Sequence, residues 1–277
     1  LTIEKETAAA LRENRELLRN ISPERIFSEL KGVLCARGAG EMLLAFPEVF
    51  FVILPELAPM RGFDTRRPQN HCWDVWGHTA HAVDAIAPES VLRLTMLFHD
   101  SGKPETFRYD AQAGFGRFPG HPAVSARIAD AALRSLRCDN AARERVVTLV
   151  ENHEMRTGHG KKDLRRLLAK IGEKNMRDLL LVRRADAAAH APEAAARLTA
   201  LADEDERLLN EITAEQGCLY VKDLAVSGND LLALGLKPGA AVGEMLSRLL
   251  DLVLDEEVPN EKEALLAAAR KEIPTHE

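Results

Sequence analysis

The chain of 277 residues contains 46% hydrophobic residues, enough to bury a core shared by two or three subdomains. Abundant Ala and Leu with only 5% aromatic residues favour a mostly helical protein, and no apolar run reaches the roughly 18 residues that a membrane span needs. The net charge of −6 excludes a uniformly basic surface, so any contact with nucleic acid must come from local basic patches.

The first segment of the chain, residues 1–69, is predicted to be helical. Ser22 followed by Pro23 is typical of a helix start, because Ser caps the first turn and Pro fits it. The predicted elements are, in order, a helix over 2–20, a helix from Ser22 onward, a helix over 41–57 and a basic loop over 59–68.

The second segment, residues 70–191, is predicted to be a helical bundle. Its helices are predicted over residues 73–87, 90–101, 122–137, 139–153, 162–171 and 173–190. Residues 107–118, between the second and third of these helices, combine aromatic, Arg and Gly residues. That composition favours a mobile loop or a small hairpin.

The third segment, residues 192–277, is predicted to be a helical tail. Its helices are predicted over residues 192–216, 228–234, 241–254 and 260–271. Ser227 is predicted to cap the second of them. The sequence as a whole therefore predicts an all-α fold in three parts.

The pair His99-Asp100 is the most informative feature of the chain. It follows an apolar run from Val91 to Phe98, which places both side chains at the buried end of a predicted core helix. A buried carboxylate is costly unless it is paired or binds a cation, and adjacent imidazole and carboxylate groups can bind the same metal ion. We therefore predict a metal site at this pair.

Further polar residues complete the predicted metal site. The predicted ligands of one metal ion are His78, His99, Asp100 and Asp186. His121 and His153 are predicted to bind a second ion or a phosphate group. Imidazole and carboxylate together suit Zn, Mn, Fe or Ni, with positions left open for substrate. We predict metal-assisted hydrolysis of phosphate esters, in which Asp100 is catalytic and Lys103 reaches a phosphate oxygen.

A plainer interpretation exists for each of these residues taken alone. A single histidine at a helical position is more often a polar core or surface residue than a metal ligand. A solvated Lys103 after a helix end is as good an interpretation as a phosphate-binding one. The prediction of a metal site therefore depends on the ordered combination of residues and not on any one of them.

Basic residues outside the predicted metal site form local clusters. Those predicted to bind RNA are Arg61, Arg66, Arg67, Lys161, Lys162, Arg165 and Arg166. Such runs are usually solvated surface, but beside a phosphate-directed metal site they favour contact with an RNA backbone. The acidic run Asp203-Glu204-Asp205 is interpreted as solvated surface.

The cysteines indicate the compartment. Cys35, Cys72, Cys138 and Cys218 lie far apart and form no CxxC pair. This spacing is typical of free thiols in a reducing cytoplasm. We therefore expect a soluble, cytoplasmic protein that does not span a membrane.

Residues 70–190 resemble the HD-domain superfamily of metal-dependent phosphohydrolases. The resemblance rests on His78, His99-Asp100 with the trailing Gly102-Lys103, and Asp186. It implies that the first His, the His-Asp pair and the last Asp bind the metal. His121 and His153 are similar to the extra histidines of more elaborate members. The implied ion is divalent, and Ni, Mn, Co, Zn, Fe and Mg all stay open.

A second resemblance covers nearly the whole chain and is to bacterial CCA-adding tRNA nucleotidyltransferases and poly(A) polymerases. The segments that carry it are Ile21–Leu30, Leu54–Leu57, Asp74–Thr79, Phe98–Phe107, Gly116–His121 and Val226–Leu231, with Gly235, Pro238 and Gly239 after the last. It implies a neck over residues 1–69, an HD bundle over 70–191 and a tail over 192–277. The motifs of the family's nucleotidyltransferase head are absent from this sequence.

We therefore expect the headless C-terminal part of a tRNA nucleotidyltransferase, with tRNA as its partner and CCA addition in tRNA 3′-end maturation as the parent activity. Its HD site is expected to hydrolyse phosphodiesters, 2′,3′-cyclic phosphates or nucleotides. Two alternatives stay open. One is a freestanding HD-domain nucleotide phosphohydrolase unrelated to tRNA, and the other is a non-catalytic RNA-binding module whose metal is structural.

Overall fold

The computed structural model describes residues 3–64, 72–154, 160–215 and 217–272, and it confirms the predicted all-α fold. The chain forms two compact units. The first consists of Leu1–Met155 and Arg177–Ala202, and the second of Arg156–Met176 and Asp203–Glu277. The division into three consecutive domains at residues 69 and 191 stays a prediction.

The N-terminal part of the first unit is a series of short helices. In chain order they are α1 (Lys5–Glu13), a 3₁₀ helix (Arg15–Asn20), α2 (Pro23–Leu34), α3 (Ala39–Ala45), α4 (Pro47–Ile53) and a second 3₁₀ helix (Pro55–Met60). The helix start predicted at Ser22 is confirmed, since α2 begins with Pro23 in its first turn. The single helix predicted over 2–20 is instead α1 followed by the tighter 3₁₀ helix.

The single helix predicted over residues 41–57 is wrong, because two prolines divide it. Phe46 and Leu54 have non-helical backbone angles (φ −133°, ψ 46° and φ −134°, ψ 68°), and each precedes a proline. The ring of a proline crowds the preceding residue out of the helical region, so a helix ends there and a new one begins at the proline. The basic loop predicted from residue 59 also starts too early, since Pro59 lies inside the second 3₁₀ helix.

The rest of the first unit is a helical bundle with one small hairpin. Its elements are α5 (Val75–Ala85), α6 (Ser90–Phe98), α7 (Lys103–Thr106), β1 (Arg108–Asp110), β2 (Phe115–Arg117), α8 (His121–Ser135), α9 (Asn140–Asn152), the end of α10 (Lys161–Ala188) and the start of α11 (Pro192–Ala214). Helix α6 packs against α5, α8 and α9, and all its residues from Val91 to Phe98 are buried. The core of the bundle therefore lies around α6.

Helix α6 is shorter than predicted and ends at Phe98. His99 keeps helical backbone angles (φ −52°, ψ −41°), and Asp100 follows it in a turn. The segment over 107–118, for which a loop or hairpin was predicted, is a hairpin in which β1 and β2 pair antiparallel with Tyr109 opposite Gly116. Both features lie at one end of the buried helix α6.

The second unit has its own small core. Its elements are the first part of α10, the last part of α11, a 3₁₀ helix (Val221–Asp223), α12 (Gly228–Ala233), α13 (Ala240–Leu254) and α14 (Lys262–Glu272). The buried residues of this core are Leu224, Val226, Leu231, Leu249, Leu265 and Ala269. The predicted cap is confirmed, because Ser227 and Asp230 form a capping box at the start of α12.

Two further predictions can be compared with the structure. The break predicted between helices 162–171 and 173–190 is confirmed, since Gly172 inside α10 has φ 79° and ψ 160°. All four cysteines are free. Within the described ranges, no helix is both long enough and apolar enough to cross a membrane.

Candidate metal centre

Six predicted site residues come together at one end of helix α6. His78 lies on α5, His99 and Asp100 directly follow α6, His121 begins α8, His153 follows α9, and Asp186 lies near the end of α10. The side chain of Asp186 is 29% exposed, and the other five residues are buried. All six belong to the first unit.

The first group of side chains surrounds one oxygen of each carboxylate. His78 Nε2 lies 2.8 Å from Asp186 Oδ1 and 3.6 Å from Asp100 Oδ2. His99 Nε2 lies 3.4 Å from Asp186 Oδ1 and 3.3 Å from Asp100 Oδ2. Four potential ligand atoms, two nitrogens and two oxygens, therefore face one another around a common point.

The second group uses the other oxygen of Asp100. His121 Nε2 lies 3.3 Å and His153 Nε2 lies 3.7 Å from Asp100 Oδ1, and the two imidazole nitrogens are 3.2 Å apart. Asp100 thus lies between two groups of ligand atoms and presents one oxygen to each. Carboxylates that link two metal positions have this placement.

Backbone carbonyls fix the orientation of the four imidazoles. The Nδ1 atoms of His78, His99, His121 and His153 contact the carbonyl oxygens of Ala189, Met96, Phe118 and Val150 at 3.3, 2.7, 3.1 and 2.7 Å. A carbonyl only accepts, so each Nδ1 carries the proton and a neutral ring presents a bare lone pair at Nε2. This second contact is the one that metal-binding histidines usually make.

The Nε2 atoms then face each other in pairs. His78 and His99 bring these atoms to 3.4 Å, and His121 and His153 to 3.2 Å. Two lone pairs repel at such distances unless a proton or a cation lies between them. The donor set therefore fits a divalent metal ion in each of the two groups.

The charges at the site also favour a positive charge beside the two carboxylates, which either a proton on His99 or a metal ion supplies. Burial by itself lowers the pKa of His99, but Asp100 and Asp186 outweigh it and raise the pKa to about 10. Burial raises the pKa of Asp100, yet His99 and Lys103 hold it well below its usual range. The cluster thus keeps two carboxylates ionised and needs positive charge beside them.

Lys103 supplies part of that positive charge. Its Nζ donates a hydrogen bond of 2.6 Å to Asp100 Oδ2, and the residue is buried. The structure therefore does not support the alternative of a solvated lysine. Its predicted contact with a phosphate oxygen stays a prediction.

Gly102 allows helix α8 to approach the His99-Asp100 turn. A Cβ atom at this position would lie 2.6 Å from the carbonyl oxygen of His121 and 2.8 Å from the backbone nitrogen of Ser125. The backbone nitrogen of Gly102 also donates a 2.8 Å hydrogen bond to Ser125 Oγ. The glycine therefore brings His121 next to Asp100.

The sequence analysis missed one residue of the cluster, His190. Its Nδ1 contacts the carbonyl oxygen of Asp186 at 2.8 Å, and its ring centroid lies 4.9 Å from that of His78. His78, Asp186 and His190 form a third group with the spacing of metal ligands. The spacing of four residues after Asp186 is the signal that would have identified it.

The described basic residues that are predicted to bind RNA are divided between the two units. Arg61 is exposed in the first unit, whereas Arg66 and Arg67 lie outside the described residues. Lys161, Lys162, Arg165 and Arg166 lie in the second unit. Each of these four pairs with an acid of that unit, the acids being Glu211, Glu215, Asp255 and Glu256. Their role in RNA binding stays a prediction.

The acidic run after residue 202 is only partly a solvated surface. Asp203 and Glu204 are exposed, as predicted. Asp205 is buried, so the prediction is wrong for this residue. Helix α11 turns it about 200° away from Asp203, so the two side chains do not share a face.

Known proteins resemble this chain along most of its length. Residues 123–269 match the family model for tRNA nucleotidyltransferase domain 2, and residues 1–60 match the family model described as "Probable RNA and SrmB- binding site of polymerase A". The first of these matches includes His153 and Asp186 of the metal cluster.

Two relatives carry the comparison further. The CC-adding tRNA nucleotidyltransferase of Thermus thermophilus is 34% identical over 249 residues, which cover 87% of this chain and 55% of that protein. The A-adding tRNA nucleotidyltransferase of Deinococcus radiodurans is 29% identical over 263 residues, covering 91% of this chain and 59% of that protein. The chain spans a little over half the length of these relatives. It belongs to the tRNA nucleotidyltransferase family.

Proposed function

We propose that this chain carries a metal-dependent phosphohydrolase site of the HD type, in a protein of tRNA 3′-end maturation. The observation that supports the site most strongly is the approach of the Nε2 atoms to 3.2–3.4 Å with their Nδ1 atoms already bonded to carbonyls. Such an arrangement is unfavourable unless a proton or a metal ion lies between the paired nitrogens.

The proposed ligands form two positions that share Asp100. The first position consists of His78, His99, Asp100 and Asp186, and the second of Asp100, His121 and His153. This imidazole-rich set favours Mn, Fe, Co, Ni or Zn over Mg, which prefers oxygen ligands. A divalent ion bound there would act as a Lewis acid that polarises phosphoryl oxygens.

The side chains around the ligands keep the site in order. Lys103 fixes one oxygen of Asp100 through its 2.6 Å hydrogen bond and offers a positive charge to an anionic substrate. The carbonyls of Met96 and Val150 hold the rings of His99 and His153 with Nε2 directed at the carboxylate. Asp186, as the most exposed member of the six, marks the side from which a substrate enters.

The proposed substrates are phosphodiesters, 2′,3′-cyclic phosphates and nucleotides. Both relatives are named tRNA nucleotidyltransferases, which supports tRNA as the partner and CCA addition or part of it as the activity of the whole protein. The proposed RNA contacts are those predicted from the sequence, namely Arg61, Arg66, Arg67, Lys161, Lys162, Arg165 and Arg166.

A structural metal without catalysis is the second candidate. The observation that favours it is burial, since His99 is completely buried and Asp100 is 1% exposed. A metal that only joins helices needs no access for substrate. Metal binding without any hydrolysis would support this candidate.

The experiment that separates the two candidates is hydrolysis by metal-stripped protein resupplied with Mn, Ni, Co or Mg. The substrates are 2′,3′-cyclic AMP and bis-p-nitrophenyl phosphate. We expect metal-dependent turnover that Asp100→Ala abolishes, because this change removes the carboxylate shared by both groups. Circular dichroism should show unchanged helical content.

The matched control is Asp251→Ala, which removes an exposed carboxylate from α13 in the second unit. It should retain full turnover. Equal turnover by Asp100→Ala and the parent protein would contradict the proposed site, and inactivity with every metal would contradict the proposed hydrolysis.

A further inference from the structure

The hairpin beside the metal cluster carries side chains that the proposed hydrolysis does not use. We define the hairpin arm as residues 107–118, with β1 and β2 at its centre. Arg108 lies opposite Arg117, and Tyr109 lies opposite Gly116. Asp110 fixes the turn, because its carboxylate accepts hydrogen bonds of 3.0 and 3.1 Å from two turn nitrogens. The arm is therefore a defined element and not an irregular loop.

Aromatic contacts join the base of the hairpin arm to the metal cluster. The rings of Phe107 and Phe118 lie 5.7 Å apart, and Phe118 lies 6.3 Å from the ring of His121. Lys103 Nζ, which bonds Asp100, lies 5.6 Å from the centre of the Phe118 ring. Phe118 therefore lies beside His121 and Lys103, so the base of the hairpin arm is adjacent to the metal cluster.

Tyr109 lies on the arm at a short distance from this base. Alternate residues of a strand face the same side, so Tyr109 shares a face with Phe107 and lies about 7 Å farther along. It is 51% exposed, although large aromatic side chains are usually buried. Its cross-strand neighbour in the hairpin is Gly116.

The opposite face of the arm is cationic. Arg108 is exposed and forms no ion pair with any residue in the described part of the chain. Arg117 is 58% exposed, and its Nε lies 2.8 Å from Asp110. Two arginines directly across from each other suit a phosphate group, which guanidinium groups bind through several hydrogen bonds.

We propose that the hairpin arm binds the end of a single-stranded RNA, with Tyr109 stacked on a nucleobase and Arg108 and Arg117 at a backbone phosphate. The assignment of the scissile phosphate to the metal cluster rests on the proposed function. Single-stranded ends fit because their unpaired bases are free to stack on aromatic side chains. The charge of the arm complements the RNA backbone.

The test is the affinity of the metal-stripped chain for a pentanucleotide RNA labelled with fluorescein at its 5′ end, measured by fluorescence anisotropy. Tyr109→Ala should weaken binding about tenfold, within the range known for loss of one stacked base. Tyr109→Phe keeps the ring and should bind like the parent protein. Equal affinity of Tyr109→Ala and the parent would overturn the proposal.

The arginines are tested through the salt dependence of the same affinity. The double variant Arg108→Ala/Arg117→Ala should flatten the slope of log affinity against log salt by about 0.7, since both arginines contact one phosphate and each neutralised phosphate on a single strand contributes about 0.7. The control Arg127→Ala/Arg134→Ala removes the same charge from exposed positions on α8. An equal change in the control would overturn the proposed phosphate contact.

Hydrolysis of bis-p-nitrophenyl phosphate by the metal-loaded parent chain separates this proposal from the proposed function. If the parent chain turns over substrate and all arm variants keep the RNA affinity of the parent, RNA binding by the arm is overturned and the proposed hydrolysis is not. No turnover with any metal, but weaker RNA binding by Tyr109→Ala, overturns the hydrolytic function and supports the arm as an RNA site.

Discussion

Single residues decide whether the metal cluster can form, and Gly102 is the clearest case. The methyl group of an alanine there would lie within 3 Å of backbone atoms of α8, which cannot move aside as a flexible side chain would. The close approach of α8 to the His99-Asp100 turn therefore depends on the absence of a Cβ atom at Gly102. His121, the first residue of α8, depends on it directly.

Gly102→Ala is expected to destabilise the protein by about 1–3 kcal/mol, the usual cost of forcing extra volume into a packed region. It should also weaken metal binding, because His121 moves away from Asp100. The measurements are thermal unfolding and calorimetric titration with Mn. Unchanged metal affinity would show that His121 is not held by this contact.

The control is Gly243→Ala on α13. A Cβ there meets nothing within 4 Å, so alanine should stabilise the helix by about 0.5–1 kcal/mol. The two glycine variants should therefore change stability in opposite directions.

The residues of the candidate site were largely predictable from the sequence, but their arrangement was not. Apolar surroundings identified Asp100 and Asp186 as acids in need of a partner. The division of the Asp100 oxygens between two groups depends on distances of a few tenths of an ångström, which no spacing along the chain encodes. His190 was missed because its role depends on where α10 ends relative to α5.

At the scale of elements, prolines and caps decide where helices begin and end. The start of α12 depends on Asp230, whose carboxylate accepts hydrogen bonds from the Ser227 backbone nitrogen and hydroxyl and pairs with Lys262 Nζ at 2.5 Å. The hydrogen bond from Lys262, followed by those from Ser227, holds the pKa of Asp230 below its usual range. This lowered pKa makes the stability of the second unit depend on pH.

The sign follows from the direction of the shift. A carboxylate with a lowered pKa in the folded state stabilises the fold above its unfolded pKa of about 3.9, and this contribution is lost as the pH falls through the folded value. We expect Asp230→Asn to lower the unfolding temperature at pH 7 and to lessen its fall below pH 4. Asp251→Asn, at an exposed position of α13, should change neither. An unaltered pH profile in Asp230→Asn would contradict the proposed cap contribution.

Helix positions in the bundle and the tail were predictable because apolar periodicity, Ser caps and glycine breaks act locally. The helix over 41–57 was not, since its apolar pattern continues through Pro47 and hides the break. The sequence does not distinguish a loop from a hairpin over residues 107–118, because two strands of three residues are too short to show an alternating pattern. Local signals thus predict elements well and short irregular connections poorly.

At the scale of the whole molecule, all proposed metal ligands belong to the first unit. Metal should therefore stabilise that unit selectively, by about 2.7 kcal/mol when its concentration is 100 times the dissociation constant. Hydrogen exchange measured with and without Mn should show slower exchange in α5, α6, α8 and α9.

Exchange in α13 and α14 should stay unchanged, because these helices belong to the second unit. Asp100→Ala should show no effect of Mn in either unit. Equal slowing of exchange in both units would contradict a metal site confined to the first.

The division into two units could not be predicted from the sequence, because each unit consists of two segments that are separated along the chain. The chain leaves the first unit after residue 155 and returns to it at residue 177. This return depends on how the helices pack and not on a local sequence signal. The helical pattern of α10 continues past residue 177, and the break at Gly172 lies before that point.

This return has a consequence for the order of events during synthesis. Five proposed ligands have left the catalytic centre of the ribosome once His153 is added, but Asp186 follows about 2–7 s later at the usual rate of chain growth. In that interval the nascent bundle has a metal cluster without its last carboxylate. The metal can therefore be bound by all of its proposed ligands only after residues 177–202 have packed into the first unit.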